Sequence, residues 1–148
     1  MAIKDDIQDQ LKTAMRERDD VRRTALRFLT AAIKNAEIEA GHQLSDDEVL
    51  AVIQKQAKQR RESIEEYRRA KRDTLVEREQ AELDVVMAFL PEQASAEEIE
   101  EAARKVIAET GASGPRDVGK VMPVLVRQFA GRADGKAISD TVRHLLGG

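Results

Sequence analysis

Two groups of cations are the residues whose types and spacing could do chemistry in this chain. Lys55, Lys58, Arg60, Arg61, Arg68, Arg69, Lys71 and Arg72 place eight positive charges within eighteen residues, against Glu62, Glu65 and Glu66, a local net of +5. Lys58, Arg61, Glu65, Arg68 and Arg72 recur at steps of three and four, which puts them on one face of a helix. The second group lies in the tail. There Arg116, Lys120, Arg127, Arg132, Lys136 and Arg143 outnumber Asp117, Asp134 and Asp140 by three, in a chain whose overall charge is −3. These cations gather at Gly119-Lys120 and at Gly131-Arg132-Ala133-Asp134-Gly135-Lys136. Glycines there let backbone N–H groups approach a phosphate, and Lys136 opens a helix, whose N-terminus favours anions. The chemistry available to both groups is neutralisation of a polyanion. The competing reading is a solvated, ion-paired face, with Glu65 serving Arg61, Arg68 or Arg69.

No residue set for making or breaking covalent bonds is visible. Zero Cys excludes disulfides, thiolate zinc sites, iron–sulfur clusters and cysteine nucleophiles. His42 and His144 lie far apart in the chain, and neither has a ligating partner four residues on. Carboxylate runs such as Asp46-Asp47-Glu48, Glu65-Glu66 and Glu97-Glu98 fall at helix starts or on polar faces, where they complement the helix dipole. A catalytic acid would need burial to raise its pKa. There is no phosphate loop, dinucleotide fingerprint or nucleophile elbow. No catalytic residue, no cofactor and no metal are therefore expected.

The elements that must position these cations are helices. With 148 residues, 41% hydrophobic, 36% charged and 3% aromatic, the chain fits one globular domain or two small ones. Apolar residues recur at helical steps in Ile3, Ile7, Leu11 and Ala14, in Val21, Ala25, Phe28, Leu29, Ala32, Ile33 and Ala36, and in Leu83, Val86, Met87 and Leu90. Ile99, Ala103 and Val106, then Val118, Val121, Met122, Leu125 and Phe129, then Ile138, Val142 and Leu145 continue the pattern. No alternation of period two is found. The spacing predicts helices over about 3–17, 20–40, 46–72, 75–90, 96–110, 116–130 and 136–146.

Asp19 reads as an N-cap and Gly41 as a helix stop. Ser45-x-x-Glu48, Thr74-x-x-Glu77 and Ser95-x-x-Glu98 read as capping boxes. Pro91 ends the fourth helix, and Pro123 requires a kink or a restart in the sixth. The expectation is an all-α chain: an N-terminal four-helix domain over 1–91 with a long basic third helix, then a small C-terminal three-helix bundle over 92–148. From Ile53 to Leu75 the apolar side chains are Ala57, Ile64, Tyr67 and Ala70, a narrow stripe for a core helix. Phe28, Phe89 and Phe129 fall on apolar faces and are expected in cores.

The longest apolar run, Val85 to Leu90, is far short of a membrane span. The N-terminus, Met1-Ala2-Ile3-Lys4-Asp5-Asp6, has no apolar signal core. With no Cys, the expected location is the cytoplasm.

Several segments taken in order resemble the Yqey-like family. They are Val86-Met87-Ala88-Phe89-Leu90-Pro91-Glu92-Gln93, Gly119-Lys120-Val121-Met122, Gly131-Arg132-Ala133-Asp134-Gly135 and Val142-Arg143-His144-Leu145-Leu146. The opening, with Arg22-Arg23-Thr24-Ala25-Leu26-Arg27, is similar to that family's opening, so the resemblance spans essentially the whole chain. It implies a four-helix and a three-helix unit. It also implies kinship to the tail of the tRNA-recognising subunit of the aspartyl/glutamyl-tRNA amidotransferase, in which the tail is the part that meets tRNA.

By that resemblance Lys120, Arg127, Arg132, Lys136 and Arg143 are the expected RNA contacts. Lys58, Arg61, Arg68 and Arg72 form a possible second surface, and Gly119, Gly131, Asp134 and Gly135 build turns, with Asp134 capping the last helix. The implied partners are tRNA and an amidotransferase or tRNA-synthetase protein, without membrane or metal. Single-stranded RNA readers stack bases on aromatic rings. Tyr67 and three Phe are the whole aromatic complement, so the expected mode is backbone contact. Two other readings stand beside it: a helical protein-interaction adaptor docking through the third helix, and a carbon–nitrogen ligase using glutamine as amide donor, for which no residues are seen.

Overall fold

The computed structural model describes residues 2–147. Its helices are α1 (Ala2–Glu17), α2 (Asp20–Ala40), α3 (Asp46–Arg69), α4 (Asp73–Met87), α5 (Ala96–Thr110), α6 (Val118–Gln128) and α7 (Gly135–Leu145), with a 3-10 turn at Pro115–Asp117 leading into α6. No strand occurs among the described residues, so the fold is all-α. The chain divides into two compact units, Met1–Leu90 and Pro91–Gly148.

Local chemistry explains most helix ends. The Asp19 carboxylate accepts the Arg22 backbone N–H at 3.1 Å. Ser45 and Glu48 form a reciprocal box: Glu48 N–H donates to Ser45 Oγ at 3.2 Å and Ser45 N–H donates to Glu48 Oε1 at 3.0 Å. Gly41, at φ +77°, closes α2 by donating its N–H to the Glu37 carbonyl.

Three expected ends are corrected. Helix α3 stops at Arg69, because Lys71 takes φ +57° and the Arg72 N–H turns back to the Tyr67 carbonyl. Arg72 therefore leaves the helical face on which its spacing placed it and stands at the N-cap of α4. Thr74 and Glu77 form no capping box, since α4 has already begun at Asp73. Helix α4 ends at Met87, not Leu90, as Phe89 and Leu90 tighten into bonds to the Val86 and Met87 carbonyls ahead of Pro91. Helix α6 does not restart at Pro123; the ring removes one donor, the one that would serve the Gly119 carbonyl.

Each unit has its own core. The first gathers Ile7, Leu26, Leu29, Ile33, Val49, Ile53, Ile64, Leu83 and Val86. The second gathers Ile99, Val106, Val121, Leu125, Phe129, Ile138 and Val142. Phe129 is buried and Phe89 packs against the first core half-buried, but Phe28 is 60% exposed, correcting its expected place. Leu26, Leu29 and Ile33 take the inward arc of α2, and a rotation of about 100° per residue carries Phe28 off it. The stripe of α3 is completed by a charged residue: Val49, Ile53, Ala57, Arg60 and Ile64 are buried in sequence.

Candidate nucleic-acid interface

On α3 the outward cations and the inward one have different lives. Arg60, 8% exposed, donates to Glu79 at 3.2 Å and to Glu82 at 3.0 Å across to α4, and its guanidinium lies 5.8 Å from the Phe28 ring centre. It belongs to the interior, not to the basic surface. Lys55, Lys58, Arg61, Arg68, Arg69, Lys71 and Arg72 are exposed. Arg68 pairs with Glu65 and Arg61 reaches the Met87 sulfur at 3.9 Å. Lys55, Lys58, Arg69, Lys71 and Arg72 have no acidic partner among the described residues.

In the second unit the cations are more engaged. Lys136 on α7 pairs with Asp140 at 3.1 Å, one turn on, with both side chains well exposed. Lys120 stands 3.4 Å from Asp117. That carboxylate lies below its usual range chiefly through the Ser113 backbone N–H, 2.9 Å away, so Lys120 is its secondary partner. Arg127 donates to the Pro123 carbonyl at 3.3 Å, and exposed Arg143 has no acidic partner among the described residues.

Arg132 is held on several sides. It forms an ion pair with Glu98 at 2.7 Å, donates to the Glu92 carbonyl at 2.9 Å, and lies with its guanidinium 5.8 Å from the Phe129 ring centre. Around it the turn is pinned to the chain entering α5: Ala94 N–H donates to the Arg132 carbonyl, and the Gln93 amide to the Gly131 carbonyl at 2.8 Å. Gly131 is buried at φ +75°, where a side chain would be strained. Asp134 caps α7 by accepting the Ala137 N–H at 2.7 Å. Gly119 and Gly135 sit inside the first turns of α6 and α7 and not in connecting turns.

Glu98 shows how tertiary structure redirects a local signal. Ser95 caps α5 by accepting the Glu98 N–H at 3.1 Å, but the Glu98 carboxylate goes to Arg132 instead of returning to Ser95. Glu37 is a second group that spacing did not reveal. It accepts Lys4 Nζ at 2.6 Å and the Leu44 N–H at 2.9 Å, tying α1 and the α2–α3 loop to the end of α2, and these bonds lower its pKa. A groove of about 230 Å³ between α1 and α2 is lined by this pair with Ile7, Gln8, Thr30, Ile33 and Lys34; its one carboxylate, Glu37, is already engaged and the Thr30 hydroxyl donates to the Leu26 carbonyl. Among the described residues no group of three or more His, Cys, Asp or Glu could hold a metal, and no helix is long and apolar enough to cross a membrane.

A known protein family and several known proteins are similar to this sequence. The model of the "Yqey-like protein" family matches residues 4–146. The chain belongs to this family. A relative in Pyrenophora tritici-repentis, "Altered inheritance of mitochondria protein 41, mitochondrial", is 35% identical over 95% of this chain and 79% of its own length. Relatives of the same name in Lachancea thermotolerans and Saccharomyces cerevisiae are 38% and 36% identical, over 64% and 57% of this chain. Those alignments span 51% and 46% of the relatives' own lengths, so the chain matches about half of each. The relatives are named as mitochondrial, and this overturns the expectation of a cytoplasmic protein. That expectation rested on the lack of an apolar signal core and of Cys, neither of which addresses a mitochondrial destination.

Proposed function

We propose that this chain is a non-catalytic tRNA-interaction module whose exposed cations neutralise backbone phosphates, accessory to tRNA-dependent amidation or to wider tRNA metabolism. The observation that carries the reading is the exposed set Lys55, Lys58, Arg69, Lys71 and Arg72, which α3 and the following turn present without acidic partners among the described residues. Exposed cations without acidic partners are open to phosphate, and each such contact releases a counterion. The likeness to an amidotransferase tail selects tRNA among polyanions.

In the second unit, taken by itself, exposed Arg127 and Arg143 are further phosphate contacts. Lys120 and Lys136 exchange exposed ion pairs, each of little worth, for phosphate. Arg132 serves as scaffold, holding the turn that carries Lys136.

The test is tRNA affinity across a salt series. Replacing Lys58, Arg69 and Arg72 by Ala should flatten the slope of log affinity against log salt by roughly one unit per lost contact. Arg132→Ala should lower stability and leave that slope unchanged. Absence of binding at low salt would reject the proposal. Protein partners that survive nuclease treatment in a pull-down would favour an adaptor.

A further inference from the structure

Helix α2 carries an exposed seam with coiled-coil spacing. Val21, Thr24, Phe28, Ala31, Asn35 and Ile38 follow steps of three and four, the a and d positions of a heptad. Val21 and Thr24 are half-covered, but the seam is open from Phe28 onward, with Phe28 at 60% and Ile38 at 71% exposure. Asn35 occupies an a position, where one polar residue fixes register and partner number.

We infer that this face of α2 binds the same face of a second copy of this chain, as a parallel two-helix seam. Charge complementarity selects that occupant and direction. Lys34 precedes Asn35 at a g position and Glu39 follows Ile38 at an e position; both are exposed and lack an ion-pair partner among the described residues. In a parallel pair each Lys34 meets Glu39 of the second copy, five residues on, and two-fold symmetry makes the pair twice. Antiparallel pairing would set Arg27 against Lys34 of the second copy, like against like. In the parallel arrangement Asn35 meets its own counterpart and the two amides bond across the seam. The bulky Phe28 layer is followed by a small Ala31 layer, and Arg60 already steadies the ring from its own chain at 5.8 Å. A seam this short is at the small end for specific association, so a micromolar dimer is expected.

Sedimentation of the full chain over a concentration series tests this. The wild type should dimerise and Ile38→Lys should remain monomeric. Lys34→Glu should weaken the dimer about tenfold, and adding Glu39→Lys should restore it. Because the chain has no Cys, Asn35→Cys provides a direct readout of direction. Mild oxidation should give a covalent dimer, while exposed Glu109→Cys should give none. A monomer throughout, a dimer indifferent to Ile38→Lys, or failure of Asn35→Cys to cross-link above the Glu109→Cys control would overturn the inference.

Discussion

Among the described residues, Arg60 and Glu82 are the most heavily desolvated charges, at 8% and 3% exposure. Truncating Glu82 to Ala strands the arginine with only the more exposed Glu79, and should cost about 3 kcal/mol in urea denaturation with an unchanged m-value. The network is not fully satisfied, since Arg60 Nε and Glu82 Oε1 make no hydrogen bond. Replacing the pair together, Arg60→Met with Glu82→Leu, should therefore be neutral or stabilising. Glu37 sets an acid limit. Its carboxyl is held below the ordinary 4.5, first by the Lys4 ammonium and then by the Leu44 N–H. On acidification the unfolded chain takes up this proton before the folded one. The stabilisation from Glu37 is thus complete above about pH 4.5 and drains away as pH falls below it. Melting temperatures of wild type and Glu37→Gln should differ most near neutrality and converge in acid; parallel curves would refute this.

At the scale of elements, the helices are decided by periodicity and their ends by caps. Ser45→Ala should lower stability by about 1 kcal/mol, since it removes the acceptor of a reciprocal box. Gly41→Ala should cost about the same for a different reason. Nothing lies within 4 Å of a methyl group there, so the penalty is the φ of +77° alone. Lys71, at φ +57° without a glycine's freedom, is the mirror case: Lys71→Gly should be tolerated or slightly stabilising in the same denaturation assay. These two positions show why α2's end was legible and α3's was not. Gly41 announces a left-handed residue, while Lys71 adopts one where the chain turns so that Val76, Leu83 and Val86 of α4 pack on the first core. That demand comes from packing and leaves no mark at Lys71 itself.

Across the whole molecule the two separate cores matter most. The second unit spans only 58 residues, Pro91–Gly148, a size at which burial barely outweighs chain entropy. Phe129→Ala empties its largest buried side chain and should cost about 3–5 kcal/mol. Amide exchange should then show α5, α6 and α7 unprotected while α1 to α4 stay protected; loss of protection in both units would refute independent cores. Placement in the cell lay outside any such physical reading, and only the mitochondrial relatives corrected it.

The all-α class, the course of each helix and the caps at Asp19, Ser45 and Asp134 were readable because they depend on residues within a few positions of one another. So was the existence of two basic groups. Which cations are spent was not readable. Arg60 turned inward because α4 brings Glu79 and Glu82 to it, and Arg132 was claimed by Glu98, thirty-four positions earlier in the chain. A charge pairs with whatever the fold delivers within reach, and spacing along the chain does not record that distance. Phe28 emerged on the surface for a related reason: the packing of α2's neighbours chose the arc of Leu26, Leu29 and Ile33 as the inward one, and Phe28 lies off it.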